Sequence, residues 1–181
     1  MGDLPPHIET ARLTLRPIEP RDAPALARNL TSAVTQWLAS WPDPMTPEIA
    51  LARIERSRSA MRRGGHVFYA LERREDGRMI GGFSGGLTAG DLTRMEIAYH
   101  LAEDCHGLGY MREASQAALD AIWERLPIEA VEAGAQITNS ASFAVMKAMG
   151  MTAIDERMVY SPVRDREEAY RFYELRRPRG P

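Results

Sequence analysis

Residues 100–114 read HLAEDCHGLGYMREA, and this stretch decides the fold. Just upstream, residues 93–101 alternate. Met95, Ile97, Tyr99 and Leu101 fall on one face and Glu96, Ala98 and His100 on the other, which is the period of a strand. Downstream, over residues 107–126, the apolar positions Met111, Ala114, Ala118, Ala121 and Ile122 recur at helical spacing, and Pro127 ends the run. Between the two periods lies only a short loop with Gly107-Leu108-Gly109, so a strand feeds almost directly into a helix. Glycine lets backbone N–H groups come close to a ligand, and a helix N-terminus carries partial positive charge. Together they predict a seat for a pyrophosphate. The pattern is not a Rossmann fingerprint, because the third glycine is missing and the strands before it form a meander. It is not a Walker A loop either, because no Gly-Lys-Ser/Thr follows.

Working outward, residues 10–17 (TARLTLRP) alternate as a half-buried strand. A short helix is expected over residues 21–30, and Val34, Trp37, Leu38 and Trp41 have the spacing of one or two helical turns. Residues 47–63 read as a helix with proline in its first turn, burying Ile49, Leu51, Ile54 and Met61. Residues 66–73 and the glycine-rich 79–87 are strands joined at Asp76-Gly77, and Gly90-Asp91 turns the chain into residues 93–101. After the long helix, Val131, Ala133, Ala135 and Ile137 mark a strand. Asn139 caps a helix over residues 140–149, and Gly150 supplies its left-handed end. Strands near 152–160 and 168–176 close the chain, with Tyr160, Tyr170, Phe172 and Tyr173 as packing residues. The expected fold is mixed α/β: one twisted, mostly antiparallel sheet flanked by helices. The strand–helix–strand step over residues 93–137 can place its two strands parallel. No repeat or linker divides residues 1–181, so one domain is expected.

Composition narrows the function. The chain has 181 residues, 23 basic against 25 acidic side chains and a formal charge of −2, which gives no phosphate-steering field; nucleic acid is not an expected partner. Cys105 is the one cysteine, and the histidines (His7, His66, His100, His106) lack ligand spacing, so no metal is expected. No apolar run reaches the ~18 residues of a membrane span. The N-terminal MGDLPPHIET has neither a basic region nor an apolar core, so no signal peptide is expected, and a cytoplasmic location follows. Cys105-His106 is no nucleophile–base pair, since adjacent loop residues point apart and no orienting partner follows.

HGLGYMREA resembles motif A of the GNAT superfamily of N-acetyltransferases, and is most similar to the RimJ/RimL type. Three further segments agree in order: TARLTLRP with the family's first strand, EIAYHL (residues 96–101) with its fourth, and NSASFAVMKAMGM (residues 139–151) with its Asn-x-x-Ser element. The resemblance spans about residues 10–151. There are departures. His106 stands where an aromatic is usual, Ala98 where glycine is frequent and Met151 where phenylalanine is. Met146 occupies the place of a frequent general-acid tyrosine.

The resemblance implies acetyl-CoA as co-substrate and an amine acceptor: a protein or peptide N-terminal α-amine, or a small-molecule amine such as a polyamine, amino acid or aminoglycoside. A non-catalytic acyl-CoA-binding module is the alternative from another class, and the resemblance leaves room for a homodimer. The implied CoA-binding residues are Tyr99, His100, Leu101, His106, Gly107, Leu108, Gly109, Tyr110, Met111, Arg112, Asn139 and Ser142. Trp37, Leu38, Trp41 and Glu96 are expected at the acceptor. Glu96 is the expected base, Ser142 the expected proton donor to the thiolate, and a backbone N–H near residues 99–101 the oxyanion donor.

Overall fold

A computed structural model describes residues 7–178; residues 1–6 and 179–181, which include part of the stretch read above for a signal peptide, lie outside the described residues. The chain runs β1 (Ile8–Glu9), β2 (Leu13–Pro17), α1 (Ala23–Asn29), α2 (Ser32–Thr35), α3 (Pro47–Arg63), β3 (His66–Arg73), β4 (Met79–Thr88), β5 (Asp91–Leu101), α4 (Tyr110–Arg125), β6 (Ala130–Gln136), α5 (Ser140–Ala148), β7 (Thr152–Ser161) and β8 (Arg166–Arg176). The eight strands form one sheet in the order β1-β2-β3-β4-β5-β6-β8-β7. Neighbours are antiparallel except β5 and β6, which the crossover helix α4 makes parallel.

The period-2 pattern sorts side chains onto two cores. Val67, Tyr69 and Leu71 of β3 join Met95 and Ile97 of β5 beneath α4, with Met111, Ala114, Ala118 and Ile122. Phe68 and Ala70 point the other way, to Leu26, Ala50 and Ile54 of α1 and α3. Thr46 caps α3 by accepting from the Ile49 N–H at 3.3 Å, and Pro47 follows where its missing N–H costs nothing.

Several local expectations change. The strand read over residues 10–17 is broken, because the Thr10 N–H and hydroxyl both bond the Leu13 carbonyl and turn the chain between β1 and β2. Only Ser32–Thr35 of the tryptophan segment is helical; Trp37 and Leu38 continue as turns on the Val34 and Thr35 carbonyls. In α3, Ala50 and Ile54 are fully buried, while Ile49, Leu51 and Met61 pack at the core's margin. The long helix starts at Tyr110 rather than at residue 107, because Gly107 and Gly109 both take positive φ, 74° and 79°. Ile137 is 44% exposed, since β6 ends one residue earlier. Tyr160 is 54% exposed because β7 is an edge strand with open faces, whereas Tyr170, Phe172 and Tyr173 are buried as expected.

Candidate active site

The site begins where two parallel strands part. β5 and β6 pair only at Arg94–Ala130, Met95–Val131 and Glu96–Glu132. Beyond that point β5 stays with β4, up to Leu101 against Gly81, and β6 stays with β8, up to Gln136 against Tyr170. Alternate residues of an antiparallel strand turn their N–H and C=O away from the partner, so part of the backbone over residues 97–101 faces the gap. A cleft of about 570 Å³ fills the opening, lined by both strands, residues 105–107 and 109–112, and one side of α5.

The glycine loop and α4 form one end. The first N–H groups of a helix lack partners within it, and no side chain caps them at Gly109. Tyr110, Met111 and Arg112 therefore bring N–H groups and the positive helix end to the cleft. His106 Nε2 lies 3.0 Å from the Leu101 carbonyl and ties the loop to the end of β5. Leu108 contributes differently from the sequence expectation: its side chain is 52% exposed and stands outside the cleft lining, while its carbonyl accepts from Arg12 Nη1 at 2.9 Å.

Across the gap, Asn139 Oδ1 accepts the Ser142 N–H at 3.1 Å, the expected cap of α5. Capping fixes Ser142 so that its Oγ lies 3.0 Å from the Tyr99 hydroxyl of β5. The phenol also donates to the Ser142 carbonyl at 3.1 Å. Burial pushes the Tyr99 phenol up to about 12, against a smaller downward pull from Ser142, so it stays protonated. Met146 is buried in the cleft wall and carries no proton to give.

Glu96 sits on the opposite face of β5, at the parting point itself. It borders a second hollow of about 480 Å³, lined by His66, Ser84, Gly86, Thr88 and Ala98. Ala98 lines both hollows, so the two meet beside Glu96. The Glu96 side chain is open to the hollow, yet its carboxyl pKa is raised. Burial by the surrounding sheet is the larger cause; repulsion from Glu132 adds to it, and Arg157 partly opposes it. His66 bonds Ser57 across the hollow's rim at 3.0 Å, and burial lowers its pKa.

The tryptophan segment closes the far side. Gln136 Nε2 donates to the Gln36 carbonyl at 2.8 Å and Ser161 Oγ to the Ala39 carbonyl at 2.7 Å. These bonds hold Trp37 and Leu38 on the cleft. Trp41 stands back from the lining, its ring 5.8 Å from His100 and under the Arg53 guanidinium at 4.6 Å. His100 lines the cleft, but its Nε2 is buried without a partner, and burial lowers its pKa to about 4.

Three features escaped the sequence reading: the Tyr99 phenol as a partner of Ser142, the hollow beneath His66, and Glu168. Glu168 is held by Arg164, Arg166 and Gln136 at the base of the tryptophan segment's anchor. The alternation that put Tyr99 beside Ile97 was a signal for the first; the others depend on segments far apart in the chain.

A parallel pair that parts over a Gly-x-Gly helix start gives this mixed α/β fold its cleft. Residues 12–152 match the family model described as acetyltransferase (GNAT) domain, and the chain belongs to this family. Among solved structures it is similar to the ribosomal-protein-S5-alanine acetyltransferase of Vibrio fischeri, with a TM-score of 0.80 and 18% identity over 94% of this chain and 96% of that one. It is also similar to the Salmonella typhimurium acetyl transferase that modifies the N-terminal serine of 50S ribosomal subunit protein L7/L12, with TM-score 0.81 and 19% identity over 94% and 98%. Mycobacterium smegmatis RimJ in complex with CoA-disulfide gives TM-score 0.78 and 22% identity over 91% and 81%. At these identities the likeness carries the fold. No curated protein sequence matches this chain.

Proposed function

We propose that the chain acts as one domain and is an N-acetyltransferase, moving the acetyl group of acetyl-CoA to a primary amine, with a protein or peptide N-terminal α-amine as acceptor. The observation that carries this reading is the meeting of two hollows at the parting of β5 and β6: a donor cleft with a helix N-terminus on one side, and an open, small-floored groove with Glu96 on the other.

The residues present suit acetyl-CoA. The positive-φ glycines hold backbone close to the cleft, and the uncapped start of α4 offers N–H groups to phosphate oxygens. Tyr99, Ser142 and Asn139 line the same cleft and would offer polar groups to a pantetheine arm. When bound, acetyl-CoA supplies a thioester that a neutral amine can attack.

Glu96 prepares the amine. A carboxyl with a raised pKa takes a proton from an ammonium more readily than an ordinary one, directly or through a water. A gap-facing N–H within residues 99–101 donates to the developing oxyanion. Ser142 Oγ offers a proton or hydrogen bond to the departing sulfur, aided by the positive end of α5. The acceptor class draws support from two neighbours whose names specify N-terminal or ribosomal-protein acceptors, and from the groove's floor of Ser84, Gly86 and Ala98, which leaves room for a peptide main chain. We also place the activity in a reducing cytoplasm, consistent with a single, buried, free thiol at Cys105.

Calorimetry with acetyl-CoA, followed by mass spectrometry on a panel of peptide and small-molecule amines, tests this. Binding and transfer to peptide α-amines are expected. Transfer only to small amines would overturn the acceptor, and binding without transfer to any amine would overturn the catalytic reading. Gly109→Val, which forces a β-branched residue to φ 79°, is expected to abolish most acetyl-CoA affinity.

A further inference from the structure

Two sequence features have no part in the chemistry above: the first arginine of TARLTLRP, Arg12, and the glutamate of GYMREA, Glu113. The structure joins them. Glu113, in the first turn of α4, accepts from the Thr10 hydroxyl at 2.6 Å, from the Arg12 backbone N–H at 2.8 Å and from Arg12 Nε at 2.7 Å. The same guanidinium donates through Nη1 to the Leu108 carbonyl at 2.9 Å and lies 4.4 Å above the Tyr110 ring. Its Nη2 borders Gly109, 3.5 Å from where a Cβ would stand.

One side chain thus touches a loop residue, a cap residue and the first helical residue of the glycine turn. Charge gives the arrangement a purpose. A carboxylate in the first turn of a helix suits the helix dipole, but it competes with any anion brought to the same end. Bonds from Thr10 and Arg12 outweigh burial and keep Glu113 ionised. Its charge must therefore be balanced locally if phosphate is to settle on the neighbouring N–H groups.

We infer that Arg12 is a positioning residue for the donor's phosphates: it neutralises Glu113 and holds the Leu108 peptide so that the N–H groups of residues 109–112 stay aimed into the cleft. The inference rests on acetyl-CoA being the donor. It does not depend on which amine accepts. Arg12 itself stands on the outer side of the loop, with the side chain 45% exposed, and acts through Glu113 and Leu108.

The test compares acetyl-CoA with acetyl-pantetheine, which carries the same thioester and no phosphate. Arg12→Ala is expected to weaken acetyl-CoA binding by calorimetry about 10- to 100-fold, the worth of a charged hydrogen bond. kcat/KM with acetyl-pantetheine should stay within about threefold of the wild type, since that donor has no charge to lose. Adding Glu113→Gln, which keeps an oxygen for Thr10 and the Arg12 N–H, should recover much of the acetyl-CoA affinity by removing the unbalanced charge. Should Arg12→Ala fail to fold, Arg12→Lys serves: charge is kept and the fork is lost, and a smaller loss confined to acetyl-CoA is expected. Wild-type acetyl-CoA affinity in Arg12→Ala would overturn the inference, as would equal losses with both donors, which would mean a purely structural clamp. A wild-type protein that binds no acetyl-CoA would instead overturn the proposed function on which the inference rests.

Discussion

The Tyr99 hydroxyl lies 3.0 Å from Ser142 Oγ and 3.1 Å from the Ser142 carbonyl. The pair spans the gap between β5 and α5. Either hydroxyl can be the donor between them; when the phenol gives its one proton to Ser142 Oγ, the serine's own proton is free to point into the cleft.

Ser142→Ala is therefore expected to slow turnover by roughly one to two orders of magnitude, the low end for a positioned proton donor. Tyr99→Phe should slow it by about 3- to 10-fold, the worth of one neutral hydrogen bond. The double variant should be no slower than Ser142→Ala alone, because the tyrosine acts through the serine. Steady-state kinetics of the three variants checks this; additive losses would separate the two roles.

Glu96→Gln is expected to lower kcat by about 10²- to 10⁴-fold near neutral pH, with acetyl-CoA affinity unchanged. The wild-type rate should fall as pH drops through the raised pKa of Glu96, above the ordinary carboxylate range. The sign for stability is opposite. A carboxyl whose pKa is raised by folding costs stability once pH exceeds its unfolded value, so Glu96→Gln should melt at or slightly above the wild type at pH 7. A lower rate combined with a lower melting point would count against burial as the cause of the shift.

Ser84→Leu fills the hollow beside Glu96, between Ala98 and Gly86, and lies outside the cleft lined by Tyr99 and Ser142; if the hollow takes the acceptor, the effect falls on the acceptor alone. KM for a peptide acceptor should rise by at least about tenfold, as expected when a bulky group removes a subsite, while the calorimetric affinity for acetyl-CoA stays unchanged. If both affinities fell together, the variant would be reporting on the sheet rather than on the groove.

His100 is neutral and buried, with a folded pKa of about 4 against an ordinary 6.5. A depressed histidine pKa means that the unfolded chain takes up a proton first as pH falls. Stability should therefore drop between pH 6.5 and about 4, by up to about 3 kcal/mol from this residue. His66 adds to the same trend in the same direction. Denaturant unfolding across this range, compared with His100→Phe, isolates the His100 share: the variant should show the shallower pH dependence.

Much of the fold was legible because its signals are local. Alternation placed Glu96 and Tyr99 on opposite faces of β5, and in the fold Glu96 borders one hollow and Tyr99 the other. The change from a two-residue to a helical period, with Gly107 and Gly109 between, located the start of α4 to within three residues. Asn139 and Gly150 marked both ends of α5 by cap chemistry that needs only neighbouring residues. The break at Thr10 was missed, because a side-chain bond to Leu13 overrides alternation.

By itself the sequence determined which residue types stand at each turn of each element, because periods, caps and positive-φ glycines act over a few residues. Only the tertiary structure decided where β5 leaves β6, since strand pairing depends on which helices pack on each face. Folding brought Tyr99 to Ser142, 43 residues away, and Arg12 to Glu113, 101 residues away. It also set Trp37 and Leu38 on the cleft through backbone carbonyls, at Gln36 and Ala39, that any sequence would possess. Bonds to main-chain atoms leave no trace in residue identity on the accepting side, which is why the walls of the site became visible only when the chain was folded.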